Sequence, residues 1–142
     1  MERENLLLVA LAAAGENAAF TPVQVQKLFF LVDREASHLV DGPHFNFAPY
    51  DYGPFDRDVY VGLEGLARRN LVRVQNTGRY RVYALSQAGF QLGATELREL
   101  PEGTRTYLAN VARWVRQLSF EQLVASIYKR YPEMKANSVF RG

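Results

Sequence analysis

A mainly α-helical fold carrying one small β-hairpin is predicted by three observations. Apolar residues recur at helical spacing through most of the chain, as with Phe55, Val59, Leu63 and Leu66 at intervals of four, four and three. Helix start and stop signals punctuate those stretches, among them Thr21-Pro22 and Gly42-Pro43. After Asn70 the period changes to two, on either side of Asn76-Thr77-Gly78. The segment Phe47–Leu85 joins all three: an aromatic turn runs into an amphipathic helix, then into two strands linked by a glycine turn.

The first helix spans about Glu4 to Ala14, with Leu7, Leu8, Leu11 and Ala14 as its buried stripe and Gly15 as its stop. Glu2 and Glu4 flank Arg3, where a secretory leader needs net positive charge, so the run after them is read as this helix. Thr21 caps the second helix, Pro22 occupies its first position and Gln24 completes a capping box. Its stripe is Val25, Leu28, Phe29, Val32, Ala36 and Leu39, ending at Asp41-Gly42-Pro43. The aromatic stretch that follows is expected to hold a short strand packed on the wing. Gly53 and Pro54 open a third helix to about Arg69, closed by a left-handed Asn70 with Leu71 packing back. In the hairpin, Val72, Val74, Tyr80, Val82 and Ala84 are expected to face inward, with Arg73, Gln75, Arg79, Arg81 and Tyr83 outward.

Ser86 caps a fourth helix weakened by Gly89 and Gly93, with Phe90, Ala94 and Leu97 buried. The fifth, about Glu102 to Gln117, buries Tyr107, Leu108, Val111, Trp114, Val115 and Leu118. Ser119 and Gln122 form a capping box for a sixth, which Pro132 ends, leaving a short tail. Three helices followed by a basic hairpin make residues 1–85 a winged-helix-like core. Residues 86–142 are then a C-terminal helical extension of a single 1–142 domain. A chain this short has trouble covering six apolar faces, so a homodimer through the C-terminal helices is expected.

Composition narrows the function classes. With no cysteine there is no disulfide, zinc-thiolate site or thiol nucleophile, which suits a cytoplasmic protein. No apolar run reaches the ~18 residues that span a membrane. No G-x-S-x-G elbow or phosphate-cradling glycine loop is present, so a non-enzymatic module without cofactor is expected. The minority alternative is a metal-dependent enzyme built on His38, Asp41, His44 and Asp51, whose spacing matches no strong metal signature.

Of 17 basic residues, 14 are arginine, the better planar binder of phosphate and carboxylate. Arg68, Arg69, Arg73, Arg79 and Arg81 lie in a stretch without an acid, and Arg73, Arg79 and Arg81 are expected to share one exposed face where duplex DNA could be contacted. Against groove reading, Asp51, Asp56 and Asp58 at the front of the third helix repel phosphates, although Asp56 and Asp58 also suit the positive end of its dipole. The acidic tip and the aromatic turn make Tyr50, Asp51, Tyr52 and Asp56 candidates for contact with a protein partner.

The residues Val25, Gln26, Lys27, Leu28, Phe29 and Phe30, then Tyr52, Gly53 and Pro54, then Val59 and Tyr60, resemble the Panacea or SocA-like antitoxin family over about Thr21 to Leu71. The resemblance implies a bacterial or phage-associated domain that neutralises a toxin by direct binding. Asn70, Leu71 and the wing are also similar to winged-helix transcription regulators. The sequence thus leaves a protein partner and duplex DNA as the two expectations.

Overall fold

The computed structural model describes residues 1–140. Along it run α1 (Arg3–Ala12), β1 (Ala19–Phe20), α2 (Pro22–Ala36), β2 (Ala48–Tyr50), β3 (Gly53–Phe55), α3 (Arg57–Arg68), β4 (Val72–Asn76), β5 (Arg81–Leu85), α4 (Gln87–Arg98), α5 (Glu102–Gln117) and α6 (Phe120–Arg130). Short 3-10 turns follow α2 at Ser37–Leu39 and α6 at Pro132–Lys135. The fold is mainly helical with small antiparallel sheets, ordered β1-β5-β4 and β2-β3. Among the described residues no helix is long and apolar enough to cross a membrane.

Helix α1 is the centre of the core. The expected one-sided stripe gives way to seven successive buried residues, Leu6 through Ala12, enclosed by α3, α4, α5 and β5. A run without a charged residue has no face to give to water, so neighbours surround it. The approach of α4 depends on the glycines that lower its intrinsic helicity. A Cβ on Gly93 would stand 2.7 Å from the Leu8 carbonyl oxygen, and one on Gly89 would stand 1.9 Å from that of Leu71. Backbone contact, rather than the expected Phe90 stripe, sets this interface, and Phe90, Ala94 and Leu97 are only half-buried.

Helix α2 begins as expected: the Thr21 hydroxyl accepts from the Gln24 N–H at 3.4 Å and the Gln24 amide oxygen accepts from the Thr21 N–H at 2.9 Å. Ser119 and Gln122 repeat the device at α6, with distances of 2.9 and 3.1 Å. Helix α3 starts three residues later than expected. Gly53-Pro54-Phe55 is extended and pairs with Ala48–Tyr50, so Asp56 becomes the N-cap and accepts from the Asp58 N–H at 2.8 Å. This second hairpin stands apart from the wing, whose third strand is β1. Asn70 is left-handed at φ 61° and the Leu71 N–H returns to the Leu66 carbonyl at 2.9 Å, as the sequence indicates.

The wing differs from expectation by three residues of register: a loop of Asn76 to Gly78 sets Gln75 opposite Arg79, whereas Gln75 stands opposite Val82. Asn76 pairs with Arg81, closing a four-residue loop, Thr77 to Tyr80, whose turn is held by the Gly78 N–H on the Asn76 side chain at 2.9 Å. A change by an odd number of residues exchanges faces, because side chains alternate with period two. Tyr83 therefore turns inward opposite Val74 and is buried, while Tyr80 is exposed in the loop. Arg81 shares a face with Tyr83, and Arg73 lies on the other face opposite Ala84. The expected single face of Arg73, Arg79 and Arg81 is not formed.

Helix α5 has the expected bounds and packs on α2 and α1 through Leu108, Val111, Ala112 and Val115, with Tyr107, Trp114 and Leu118 half-buried at its edges. The middle of this apolar stripe is covered within the chain, and its edges at Tyr107, Trp114 and Leu118 are partly open to solvent. The segment after α6 is also docked rather than trailing. The Val139 N–H donates to the Asp51 carbonyl at 3.0 Å, and the Asn137 amide to the Pro49 carbonyl at 3.1 Å.

Candidate binding sites at the hairpin corner and the wing

The β2–β3 hairpin is fastened to α2 by two polar side chains that sequence periodicity leaves off the buried stripe. Gln26 reads the backbone of Asp56 with both ends of its amide, accepting from the N–H at 2.9 Å and donating to the carbonyl at 3.0 Å. One residue on, the Lys27 ammonium nitrogen donates to the Pro54 carbonyl at 3.2 Å. Both side chains are buried, Lys27 with only 3% of its surface exposed. A buried polar group without a partner costs about 1–3 kcal/mol, so these bonds position the hairpin as well as satisfying the side chains. The residues that carry the antitoxin-like resemblance, Gln26-Lys27 and Gly53-Pro54, thus include two that meet across this joint.

Gly53 makes the close approach feasible. Its φ of +101° lies in the left-handed region, and a Cβ there would stand 3.2 Å from the Tyr128 ring and 3.6 Å from the Lys27 chain. Tyr128 on α6 is buried, with its hydroxyl unpartnered among the described residues.

Between this hairpin, the first turn of α2, the wing tip and the α5–α6 corner lies a pocket of about 540 Å³. Two runs of aromatic rings form its walls. Tyr50, Phe55 and Tyr60 follow one another at centroid separations of 4.9 and 5.8 Å, and Tyr60 stacks on Tyr83 at 5.9 Å with 12° between the planes. In the second run Tyr52 meets Phe120 edge-on at 5.1 Å, and outside the lining Phe120 meets Phe140 at 6.2 Å. Lys27 lines this space, as do Asp51 and Tyr80. Desolvation lowers the Lys27 ammonium from the ordinary lysine range to about 7, and burial pushes the Tyr60 hydroxyl up to about 12.

The acidic tip expected at the front of α3 is divided. Asp51 sits in the β2–β3 turn, away from the helix. The carboxylate of Asp56 is occupied by the Asp58 and Asn46 N–H groups at 2.8 and 2.7 Å, and Asp58 pairs with Arg3 at 3.4 Å. Tyr50, Asp51 and Tyr52 remain together and exposed, and Asp56 is an element of the fold.

The basic stretch is likewise less uniform in space than in sequence. It contains no acid, yet Glu4 from α1 reaches Arg69 at 2.8 Å and Glu64 from α3 reaches Arg81 at 3.0 Å. Arg73 meets the Asn17 side chain at 3.5 Å, beside a second pocket of about 440 Å³ lined by Gln75, Val82 and Ala84. Arg68 and Arg79 are exposed and make no ion pair among the described residues.

The four candidate metal ligands have separate tasks. One His44 ring nitrogen lies 2.6 Å from the Val40 carbonyl, the His44 backbone N–H donates to Asp33 at 2.9 Å, and Asp41 pairs with the Met1 amino group at 2.6 Å. His38 is exposed on its 3-10 turn, and Asp51 stands in the hairpin. No group of three or more His, Cys, Asp or Glu side chains placed to hold a metal ion occurs among the described residues.

Gln26, Lys27 and the pocket are invisible to periodicity, which marks apolar residues only. The available signal is the pairing of Gln26-Lys27 with a downstream Tyr-Gly-Pro turn. Comparison with known protein families, characterised proteins and solved structures finds no match to the chain.

Proposed function

We propose that this chain is a non-enzymatic, winged-helix-type interaction module that holds a protein partner at the hairpin corner, in the manner of an antitoxin. The observation that carries this reading is the exposure of Tyr50 at 56%, Tyr52 at 44%, Tyr80 at 47% and Phe120 at 39% around one pocket. Exposed aromatics grouped at a concave site are the residues on which interface energy concentrates. The hairpin that carries Tyr50 and Tyr52 is held from below by Gln26 and Lys27, so little ordering of it is required when a partner arrives. The order helix, strand, helix, a short hairpin, helix, then a two-stranded wing supports the winged-helix assignment, and the antitoxin-like residues support a bacterial or phage-associated, cytoplasmic setting.

Co-purification with the product of the neighbouring gene tests the proposal. The expected result is a stable complex that Tyr52→Ala weakens by about tenfold or more while the circular dichroism spectrum is unchanged. A complex indifferent to Tyr52→Ala would remove the corner as the contact surface.

A second reading, duplex DNA bound by the wing, is favoured by Arg68, Arg73 and Arg79, which make no ion pair among the described residues. It requires affinity that falls steeply with salt. Replacing these arginines with alanine then lowers the salt slope by about one unit for each phosphate left unneutralised. Absence of DNA retention at low salt excludes it.

A further inference from the structure

The corner pocket contains a group that an apolar docking surface does not require. Lys27 is more than nine-tenths buried, and its nitrogen has one hydrogen bond, to the Pro54 carbonyl, and no ion pair among the described residues. An ammonium carries three donors, so two remain beyond that bond. A buried charge is stable only when paired or neutralised.

The pocket offers Lys27 no paired counter-charge among the described residues. Tyr50 and Tyr52 stand on the hairpin, Tyr60 on α3, Tyr80 on the wing and Tyr128 on α6, all phenols. Asp51 is the one acid on the lining, and it is exposed at the hairpin turn. Desolvation accordingly brings Lys27 down to about 7, and an incoming anion would restore its charged form. Two groups of aromatic rings share the lining, and the first turn of α2 lies on it with the positive end of its dipole. A volume of about 540 Å³ falls in the range of small-ligand sites.

We infer that this pocket binds a small aromatic carboxylate, its ring held between the Tyr50–Phe55–Tyr60 and Tyr52–Phe120 walls and its carboxylate accepting hydrogen bonds from the Lys27 ammonium. Ligand and protein partner then compete for Tyr50 and Tyr52. That competition rests on the function proposed above; ligand binding itself does not.

Calorimetry and amide-shift mapping on the full chain test the inference, with 3-phenylpropionate, the neutral 3-phenylpropan-1-ol and a peptide ending in a phenylalanine carboxylate as probes. The acid is expected to saturate, to shift Lys27, Gly53 and Phe120, and to bind about tenfold or more tighter than the alcohol. Lys27→Met, which keeps the aliphatic stem, removes that preference. Val23→Trp, which puts a large ring on the lining and leaves the ammonium in place, abolishes binding of both. Asp51→Asn tightens the acid by about two- to threefold. The inference is overturned if the acid does not saturate, if acid and alcohol bind equally, or if Lys27→Met keeps the preference. Binding of the peptide without the free acid also overturns it, by assigning the pocket to a polypeptide terminus. Should Lys27→Met fail to fold, the acid-to-alcohol ratio on the unaltered chain decides by itself.

Discussion

The β2–β3 corner and the β4–β5 wing are both short antiparallel hairpins, and they are held in opposite ways. The corner is gripped from outside its own strands, by Gln26 and Lys27 beneath and by Asn137, Ser138 and Val139 from the segment after α6. The wing is anchored at its base by Val72, Tyr83 and Leu85, and past them it has its own backbone ladder and the exposed pair Arg81–Glu64. Buried polar bonds define one geometry, because breaking them leaves groups without water or partner. Exposed charge pairs contribute little and rearrange readily. The corner is therefore pre-formed, which suits recognition by shape, whereas the wing tip can follow a surface.

Breaking the corner gives the largest expected effect. Gln26→Ala leaves the Asp56 N–H and carbonyl without their side-chain partner, and a loss of about 2–3 kcal/mol is expected in urea denaturation. A loss below about 0.5 kcal/mol would mean that the clamp is dispensable.

The pH dependence of stability sharpens the contrast next. The folded-state pKa of Lys27 lies near 7, below that of the unfolded chain, so from about pH 7 upward the unfolded chain holds a proton that the folded chain has released. Stability then rises with pH at up to the order of 1 kcal/mol per pH unit until the unfolded lysine also deprotonates. Above about pH 10 the tyrosines oppose it. Burial raises Tyr60 to about 12 and raises Tyr107 as well, so the unfolded chain loses those protons first and stability falls. A maximum near pH 10 is expected, with the rising limb absent in Lys27→Met; denaturation from pH 6 to 11 measures both.

Val139→Pro removes the N–H that meets the Asp51 carbonyl, and a cost of about 1 kcal/mol is expected, with faster amide exchange confined to the β2–β3 hairpin. Exchange spreading to the wing would show that the two hairpins are coupled. The smallest change is expected for Arg81→Ala, which loses an exposed pair with Glu64 and shifts stability by under about 1 kcal/mol.

Legibility in the sequence follows the range of the interaction involved. The caps of α2 and α6 and the left-handed end of α3 at Asn70 are formed between residues no more than five apart, and each is readable from residue types at fixed offsets. The bounds of α5 are readable for the same reason. Gln26 and Lys27 escape such a reading because their partners lie about thirty positions away, in a hairpin that itself reads as the start of a helix. The wing register departs from expectation because its loop runs from Thr77 to Tyr80 rather than from Asn76 to Gly78. The basic patch is smaller in space than in sequence because Glu4 and Glu64 come from other elements.

By itself, then, the sequence determined the caps of α2 and α6, the bounds of α5, the end of α3 with the change to strand after Asn70, and that apolar faces exist to be buried. These are set by local hydrogen bonds and by side-chain period, both contained in short windows. Only the tertiary structure decided that α1 is enclosed on every side, that Gly89 and Gly93 admit a backbone, and that an unpaired lysine faces a pocket walled by aromatic rings. Those outcomes depend on desolvation and contact between segments distant in the chain, energies that no local window contains.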